Sequence, residues 1–199
     1  TSPFTHSQCL GQEVNMADYS GGKGLRTYTV QESLNQHLGK IIRVDATDIT
    51  VGETNANAVV HSTLEIPNAV AVPGGTSILR KIIIVDKDQE KHDLRLIFME
   101  DNISLGTIDS APDIDTPTFF NSIIGTIDVD WSVGDTDIST LSSIWNSGGE
   151  AGDTSEMTPL MLQAAEGSTS VYMGCLAQGV AIDFAVASDL KYIFHIEYR

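Results

Sequence analysis

The sequence is short of several residue types, and each shortage excludes a class of protein. Only two of its 199 residues are cysteines, Cys9 and Cys175, and they lie far apart, without the CxxC spacing of a zinc or redox site. Two distant cysteines do not make the disulfide framework of a small secreted domain, so we expect free thiols and synthesis in a reducing cytoplasm. No apolar run approaches the roughly 18 to 20 residues of a membrane helix, so no membrane partner is expected.

Basic residues are the scarcer charged type. Lysine and arginine total 11, against 27 aspartate and glutamate residues, and the formal net charge is −16. The imbalance is concentrated in residues 96–190, which contain 15 acidic residues and no lysine or arginine. Such a chain repels phosphate backbones, so we expect no nucleic-acid partner. Two interpretations stay open: the acids only keep the protein soluble, or the molecule has a contact face on one side and a solvent-facing acidic half on the other.

The first 27 residues are rich in Gly, Ser, Asn and Gln and have no hydrophobic periodicity. Such a segment buries too little apolar area to order by itself, so we predict an extended arm that orders on a neighbour. A capping box that begins at Thr29 predicts a short helix over residues 30–38. We therefore divide the chain into an N-terminal arm with a short helix, residues 1–39, and a domain of residues 40–199.

The domain consists of short β-branched and apolar runs separated by turn residues. Residues 77–99 are predicted to form one long hairpin across the charged connection 86–93, and residues 160–176 a second hairpin. A short helix is predicted to begin at Thr116-Pro117, where an N-cap hydroxyl precedes a proline. Seven or eight short strands with little helix indicate an all-β fold, an antiparallel β-sandwich that is either jelly-roll or immunoglobulin-like.

Alternation along the strands predicts which side chains are buried. His195 alternates outward on the final strand, His61 is expected to be a structural histidine, and residues 132–158 are expected to form a long connection. The predicted core positions are Ile82, Ile84, Leu96, Phe98, Val171, Met173, Phe194 and Ile196. The predicted buried face of the helix is Phe119, Phe120, Ile123 and Ile124.

No catalytic or cofactor motif is present. The sequence has no GxSxG, GxxxxGK[ST], GxGxxG or HExxH pattern, and its five histidines are scattered. Several aspartate pairs have the i, i+2 spacing of calcium loops, but Lys91 and Ile97 stand where an EF-hand that begins at Asp86 needs glycine and glutamate. We therefore expect a protein that is not an enzyme and has no cofactor and no metal.

Seven stretches of the domain follow one another in a distinctive order. They are Leu64–Ala69, Gly75–Asp88, Leu94–Met99, Asn102–Gly106, Phe119–Ile127, Pro159–Met173 and Ala187–Phe194. In these stretches the chain resembles a family of small structural proteins of tailed bacteriophages and prophages, described as virion or head proteins. The resemblance covers some four fifths of the chain and departs from the family in residues 132–158 and before residue 40. It implies no catalytic residues.

What the resemblance implies is a virion protein on the capsid surface. The expected role is that of a decoration (cement) protein, with the major capsid protein and further copies of itself as partners. Any basic contact face has to come from the few cations, and the predicted partner-binding residues cluster around the first predicted hairpin. They are Arg80, Lys81, Lys87, Lys91 and Arg95. The acidic residues 96–190 are then predicted to point away from the shell.

Two other functions stay open at this point. A tail, neck or head-fibre component is one alternative, although neither a strand repeat nor a coiled coil favours it. A lectin-like carbohydrate-binding module is the other, in which Trp131 and Trp145 would present an aromatic platform beside acidic residues.

Overall fold

The computed structural model describes residues 13–15, 27–29, 39–132, 135–139, 142–147 and 159–199. These residues form fourteen strands and one helix, α1 (Pro117–Ser122). The strands are β1 (Glu13–Asn15), β2 (Thr27–Thr29), β3 (Gly39–Asp45), β4 (Gly52–Thr54), β5 (Val59–Ile66), β6 (Thr76–Asp86), β7 (Leu94–Met99), β8 (Ile123–Val129), β9 (Asp135–Ser139), β10 (Ser142–Asn146), β11 (Leu160–Gln163), β12 (Val171–Ala177), β13 (Ile182–Phe184) and β14 (Leu190–Tyr198). The helix predicted over residues 30–38 lies outside the described residues, as does Cys9.

Two antiparallel sheets form the body of the domain. The six-stranded sheet has the order β3-β14-β6-β10-β9, and β11 pairs with the first half of β6 while β10 pairs with its second half. The four-stranded sheet has the order β5-β12-β7-β8. Short pairs β4–β13 and β1–β2 form two further sheets, the second within the predicted arm. Ordering of the arm on a neighbour stays a prediction.

The strand order identifies the type of sandwich. Along the chain, β3, β5, β6 and β7 alternate between the two sheets. The first of these strands, β3, pairs with β14, the last strand in the sequence. An immunoglobulin sandwich instead begins with two consecutive strands side by side in one sheet, and about half of its consecutive strand pairs share a sheet. Apart from β9 and β11, the sheets are two four-strand layers, β3-β14-β6-β10 and β5-β12-β7-β8, and two such layers wound together in this crossing order are a jelly roll. Of the two predicted sandwich types, the jelly roll is therefore confirmed.

Neither predicted hairpin forms. β6 and β7 lie in opposite sheets, as do β11 and β12, so each short connection crosses the sandwich. At the end of β6, the Asp86 carboxylate accepts backbone N–H groups of Asp88 (3.1 Å), Gln89 (3.1 Å) and Lys91 (2.8 Å). Gln89 and Lys91 also have positive φ angles, 67° and 54°. This turn directs the chain away from β6 and into the other layer, which a hairpin turn would not do.

The core lies between the two sheets and contains every predicted core position. Phe98 of the four-stranded sheet meets Phe194 of the six-stranded sheet edge to face, with ring centroids 6.3 Å apart. His61 is fully buried, and its Nε2 lies 2.9 Å from the Tyr192 hydroxyl, so the prediction of a structural histidine is confirmed. Cys175 is a buried free thiol, and burial raises its pKa to about 12.

The helix begins as predicted but ends early. The Thr116 hydroxyl accepts the Phe119 N–H at 3.2 Å, and Phe119 is buried. The six-residue helix stops at Ser122, so Ile123 already belongs to β8, and Phe120 is 59% exposed. The prediction that Phe120 and Ile123 are buried is therefore wrong, because a helix of under two turns cannot continue one apolar face. Within the described ranges, no helix is long and apolar enough to cross a membrane.

The predicted long connection contains regular structure. β9 and β10 lie within residues 132–158 and pair with each other, and β10 extends the sheet beside β6. Trp145 stands opposite Ile84 in this pairing and is only 2% exposed. Burial of this large side chain explains why the segment, although rich in Gly, Ser and Asp, is drawn into the sheet.

The stretch between β7 and α1 covers the outer side of the four-stranded sheet. Leu105 and Phe119 form a second buried cluster there with Val59, Ile97 and Met99, separate from the main core. The backbone of Val59 exchanges hydrogen bonds with this stretch at 2.8 Å and 3.0 Å. The outer face of the four-stranded sheet is thus covered by the segment between β7 and α1.

Candidate contact face

Three adjacent strands of the six-stranded sheet share an outward surface, which we call the basic face. Its central rows follow from the register, in which His195 lies between Ile41 and Lys81, and Ile193 lies between Arg43 and Ile83. β3, β6 and β14 together contain five of the chain's 11 lysine and arginine residues. The basic face comprises the outward side chains Ile41, Arg43, Asp45, Arg80, Lys81, Ile83, Val85, Lys191, Ile193, His195 and Glu197.

A β-bulge adds one cation to this face. His195 pairs with Lys81 but the next residue, Ile196, pairs with Leu79, so Arg80 is an extra residue in β6. A bulge re-aims one side chain out of the strict alternation. Arg80 and Lys81 consequently both lie on the outer side, and the Arg80 guanidinium donates to the Glu197 carboxylate at 2.7 Å.

Some cations of the basic face are paired and others are not. Asp45 lies 3.2 Å from the Lys191 ammonium and 3.7 Å from that of Lys87. Arg43 and Lys81, in contrast, have no carboxylate within 4.0 Å among the described residues. Both cations lie near His195. Burial first, and then the positive charges of Lys81 and Arg43, lower the pKa of this histidine. His195 lies on the outward side as predicted, although it is half-buried.

An open groove of about 510 Å³ runs along one end of the basic face. Ile41, which is 48% exposed, forms part of its apolar wall, and Arg80 and Glu197 form a polar rim. The groove is lined by Gly39, Lys40, Ile41, Arg80, His195, Ile196 and Glu197. Lys40 also lies over the Tyr198 ring, 5.8 Å from its centroid.

The five predicted partner-binding residues do not form one cluster, because the hairpin that would have gathered them does not exist. Arg80 and Lys81 lie on the basic face, and Lys87 lies just beyond the end of β6, where its ammonium also donates to the Ser188 carbonyl at 2.6 Å. Lys91 pairs with Asp137 of β9 at 2.6 Å. Their role in binding a partner stays a prediction.

Arg95 lies on the other side of the molecule. It belongs to β7 in the four-stranded sheet, and its guanidinium makes two hydrogen bonds to Asp128, of 2.7 Å and 3.0 Å. These hydrogen bonds first, and then the positive charge of Arg95, lower the pKa of Asp128. The sequence prediction also left out Arg43 and Lys191. The outward alternation of Lys191 on β14 was visible in the sequence, but its proximity to Arg43 depends on the pairing of β14 with β3.

Several of the aspartates with i, i+2 spacing make structural contacts. Asp86 holds the turn after β6, Asp128 pairs with Arg95, and Asp130 accepts the Ser132 N–H at 2.8 Å. Burial, and next the neighbouring Asp88, raise the pKa of Asp86 to about 7. Among the described residues, no group of three or more His, Cys, Asp or Glu side chains is arranged to hold a metal ion.

The aromatic platform of the lectin-like alternative does not exist. Trp131 and Trp145 are 4% and 2% exposed, and the Trp145 indole N–H donates to the Asp130 carbonyl at 3.0 Å. Both tryptophans are core side chains, so neither can stack on a sugar at the surface.

Strand order and surface together define a jelly-roll β-sandwich with one cationic, partly apolar outer face. No protein-family model and no curated protein sequence matches the chain. Solved structures with limited similarity include that of Triatoma virus, at 12% identity, covering 98% of this chain and 77% of that chain with a TM-score of 0.29. Deformed wing virus, a honeybee pathogen, aligns at 12% identity over 99% of this chain and 61% of that chain, with a TM-score of 0.26. The infectious bursal disease virus VP2 subviral particle aligns at 13% identity over 94% and 46%, with a TM-score of 0.20. The jelly-roll assignment rests on strand order and register, not on these similarities.

Proposed function

We propose that the chain is a virion structural protein without enzymatic activity. In its specific form, the proposal is a decoration (cement) protein that binds the major capsid protein in many copies on the outside of a tailed-phage capsid. The ordered stretches that resemble phage and prophage head proteins support the virion role. The jelly roll is compatible with it, since the same architecture serves viral capsid domains.

The observation that carries the proposal is the composition of the basic face. An antiparallel sheet that faces only water has polar side chains on its outer side. Here the centre of the outer side is Ile41, Ile83 and Ile193. Beside them are Arg43 and Lys81, which have no acidic partner within the described ranges. Apolar surface rimmed by charged groups is typical of a protein–protein contact. We therefore infer that this face packs against a neighbouring subunit in the particle.

A cement role fits the physics of such a surface. A capsid shell is held by many lateral contacts, and a standard specific interface buries about 1,600 Å² in total. A small domain that bridges neighbours adds part of such an area at every equivalent position. Symmetry multiplies the gain over the whole particle.

The test is rebinding of the purified full chain to phage particles stripped of it. We expect saturable binding with copies on the order of hundreds per particle, as repeated capsid symmetry requires, and a higher particle melting temperature in proportion to occupancy. A copy number in the tens or fewer would support the tail, neck or head-fibre alternative instead. Absence of binding to any assembled particle would refute a virion role.

A further inference from the structure

The two outer faces of the sandwich carry charge of opposite sign. On one side is the basic face, where Arg43 and Lys81 have no acidic partner among the described residues. On the other side, residues 100–116 cover the four-stranded sheet, and we call this segment the acidic cover. It has five acidic residues and no lysine, arginine or histidine. Asp101, Asp113 and Asp115 are its exposed acids.

The acidic cover is a firmly seated surface. Leu105 is 2% exposed and packs against the outer side of the sheet, and Gly174 of β12 leaves the space that this side chain occupies. The Thr63 hydroxyl donates to the Ile103 carbonyl at 2.6 Å, and the Asp113 N–H donates to the Leu105 carbonyl at 2.7 Å. Its carboxylates are therefore presented in fixed positions, which lowers the entropy cost of binding a partner.

We propose that the partner of the basic face is a second copy of this chain, which places its acidic cover against Arg43, Lys81 and His195. The inference rests on the proposed function only in that a particle brings many copies together. Charge complementarity identifies the occupant, since each copy carries both surfaces. Two basic faces brought together would repel each other at Arg43 and Lys81, which excludes the symmetric face-to-face arrangement.

The position of the two surfaces determines the kind of assembly. They lie on opposite layers of the sandwich, so one copy uses its basic face while its own acidic cover stays available to the next copy. Such a head-to-tail contact is heterologous, and it produces rings or open rows of copies. The exposed side chain of Ile41 lies next to the cations and supplies apolar area to the same contact.

The test is a charge swap on the full-length chain, measured by sedimentation velocity over a concentration series. The first variant, Arg43→Glu/Lys81→Glu, makes the basic face acidic. The second, Asp101→Lys/Asp113→Lys/Asp115→Lys, replaces the three exposed acids of the acidic cover and leaves it with three basic and two acidic residues. We expect the wild type to associate at about 0.1 M salt, where the screening length is about 10 Å, and to dissociate toward monomer at about 1 M salt, where it is about 3 Å.

Each variant alone should be monomeric, because both of its surfaces then carry the same sign of charge. An equimolar mixture should associate again, since one variant's acidic face meets the other's basic cover and the native contact remains in alternate positions. We expect the affinity in the mixture to exceed that of either variant alone by at least about tenfold, the effect of roughly 1.4 kcal/mol.

The control is Lys91→Glu/Arg95→Glu, which changes the net charge by the same amount at cations that pair with Asp137 and Asp128, away from the basic face. It should associate like the wild type. The neutral variant Arg43→Gln/Lys81→Gln should lose association without introducing repulsion, and circular dichroism melts should show that all variants fold.

Three results would overturn the proposal: a wild type that stays monomeric at low salt, a mixture that does not associate, or a control that fails as completely as the first variant. A monomeric wild type whose Arg43→Glu/Lys81→Glu variant no longer binds particles would assign the basic face to the shell protein instead. Because the swap is measured without particles, failure of the virion role leaves its result unaffected, and the converse also holds.

Discussion

Replacing Phe194 by alanine should cost a large part of the free energy of unfolding. Its side chain is fully buried, stacks on Tyr192 with a centroid distance of 6.3 Å, and meets Phe98 of the opposite sheet edge to face at 6.3 Å. Truncating a buried phenylalanine to alanine costs about 3 to 5 kcal/mol. Each aromatic pair adds about 0.5 to 1.5 kcal/mol beyond its buried area. We therefore expect a loss near the upper end, about 4 to 5 kcal/mol, because this ring joins the two sheets.

The measurement is urea unfolding followed by tryptophan fluorescence, at high salt so that self-association adds no stability. Phe120→Ala is the matched control, since Phe120 is 59% exposed and should lose less than about 1 kcal/mol. A Phe194→Ala chain with no cooperative transition, beside a folded Phe120→Ala chain, agrees with the expectation. If Phe194→Ala lies within about 0.5 kcal/mol of wild type, the range of surface changes, the inward facing of β14 is wrong.

Three further predictions concern single sites. The pKa of Asp86 in the folded state, about 7, lies above its ordinary value of 3.8, so its stabilising effect is complete below that ordinary value and is lost as pH rises through about 7. The free energy of unfolding should thus fall more steeply between about pH 4 and pH 7 in wild type than in Asp86→Asn, and equal slopes would contradict this. In a Cys9→Ser background, Cys175 should resist alkylation at neutral pH until the chain unfolds, because burial raises its pKa to about 12; rapid labelling of folded protein would disprove it. Gly174→Val should cost about 1 to 3 kcal/mol in urea unfolding, because its side chain meets Leu105, and a double variant with Leu105→Ala should recover part of the loss.

The parts of the fold that depend on local pattern were predictable from the sequence. Alternation identified all eight core positions, from Ile82 to Ile196, because the period of a strand decides which side chains share a face. The start of α1 was also local, since the Thr116 cap and Pro117 act within one turn. The length of α1 was not predictable from local sequence, because the helix ends where Ile123 begins β8 and pairs with β7.

The pairing of strands was not predictable in the same way. A short charged connection between two apolar strands is compatible with a hairpin and with a crossing between layers, and only the packing of both strands on one core decides between them. The Asp86 turn was the one local signal, because an aspartate followed by three polar residues can cap the backbone and divert the chain.

The candidate contact face could be predicted only in part from the sequence. The scarcity of cations directed attention to Arg80 and Lys81, which lie on the basic face, and Arg43 joins them there through the pairing of β14 with β3 and of β14 with β6. The bulge that turns Arg80 outward is visible only in the register. Arg95 was misplaced because its membership of the four-stranded sheet follows from a crossing that the sequence does not display.

The central position of β14 has a consequence for folding kinetics. β14 is the strand between β3 and β6, yet it lies about 150 residues along the chain from β3. Bringing such distant segments together delays productive contacts, so domains with this topology fold in milliseconds to seconds, not microseconds. Until β14 is inserted, β3 and β6 both have unpaired edges, and β6 is among the most β-branched segments of the chain. The partly folded chain is therefore at its greatest risk of aggregation at this stage, and rapid insertion of β14 protects it.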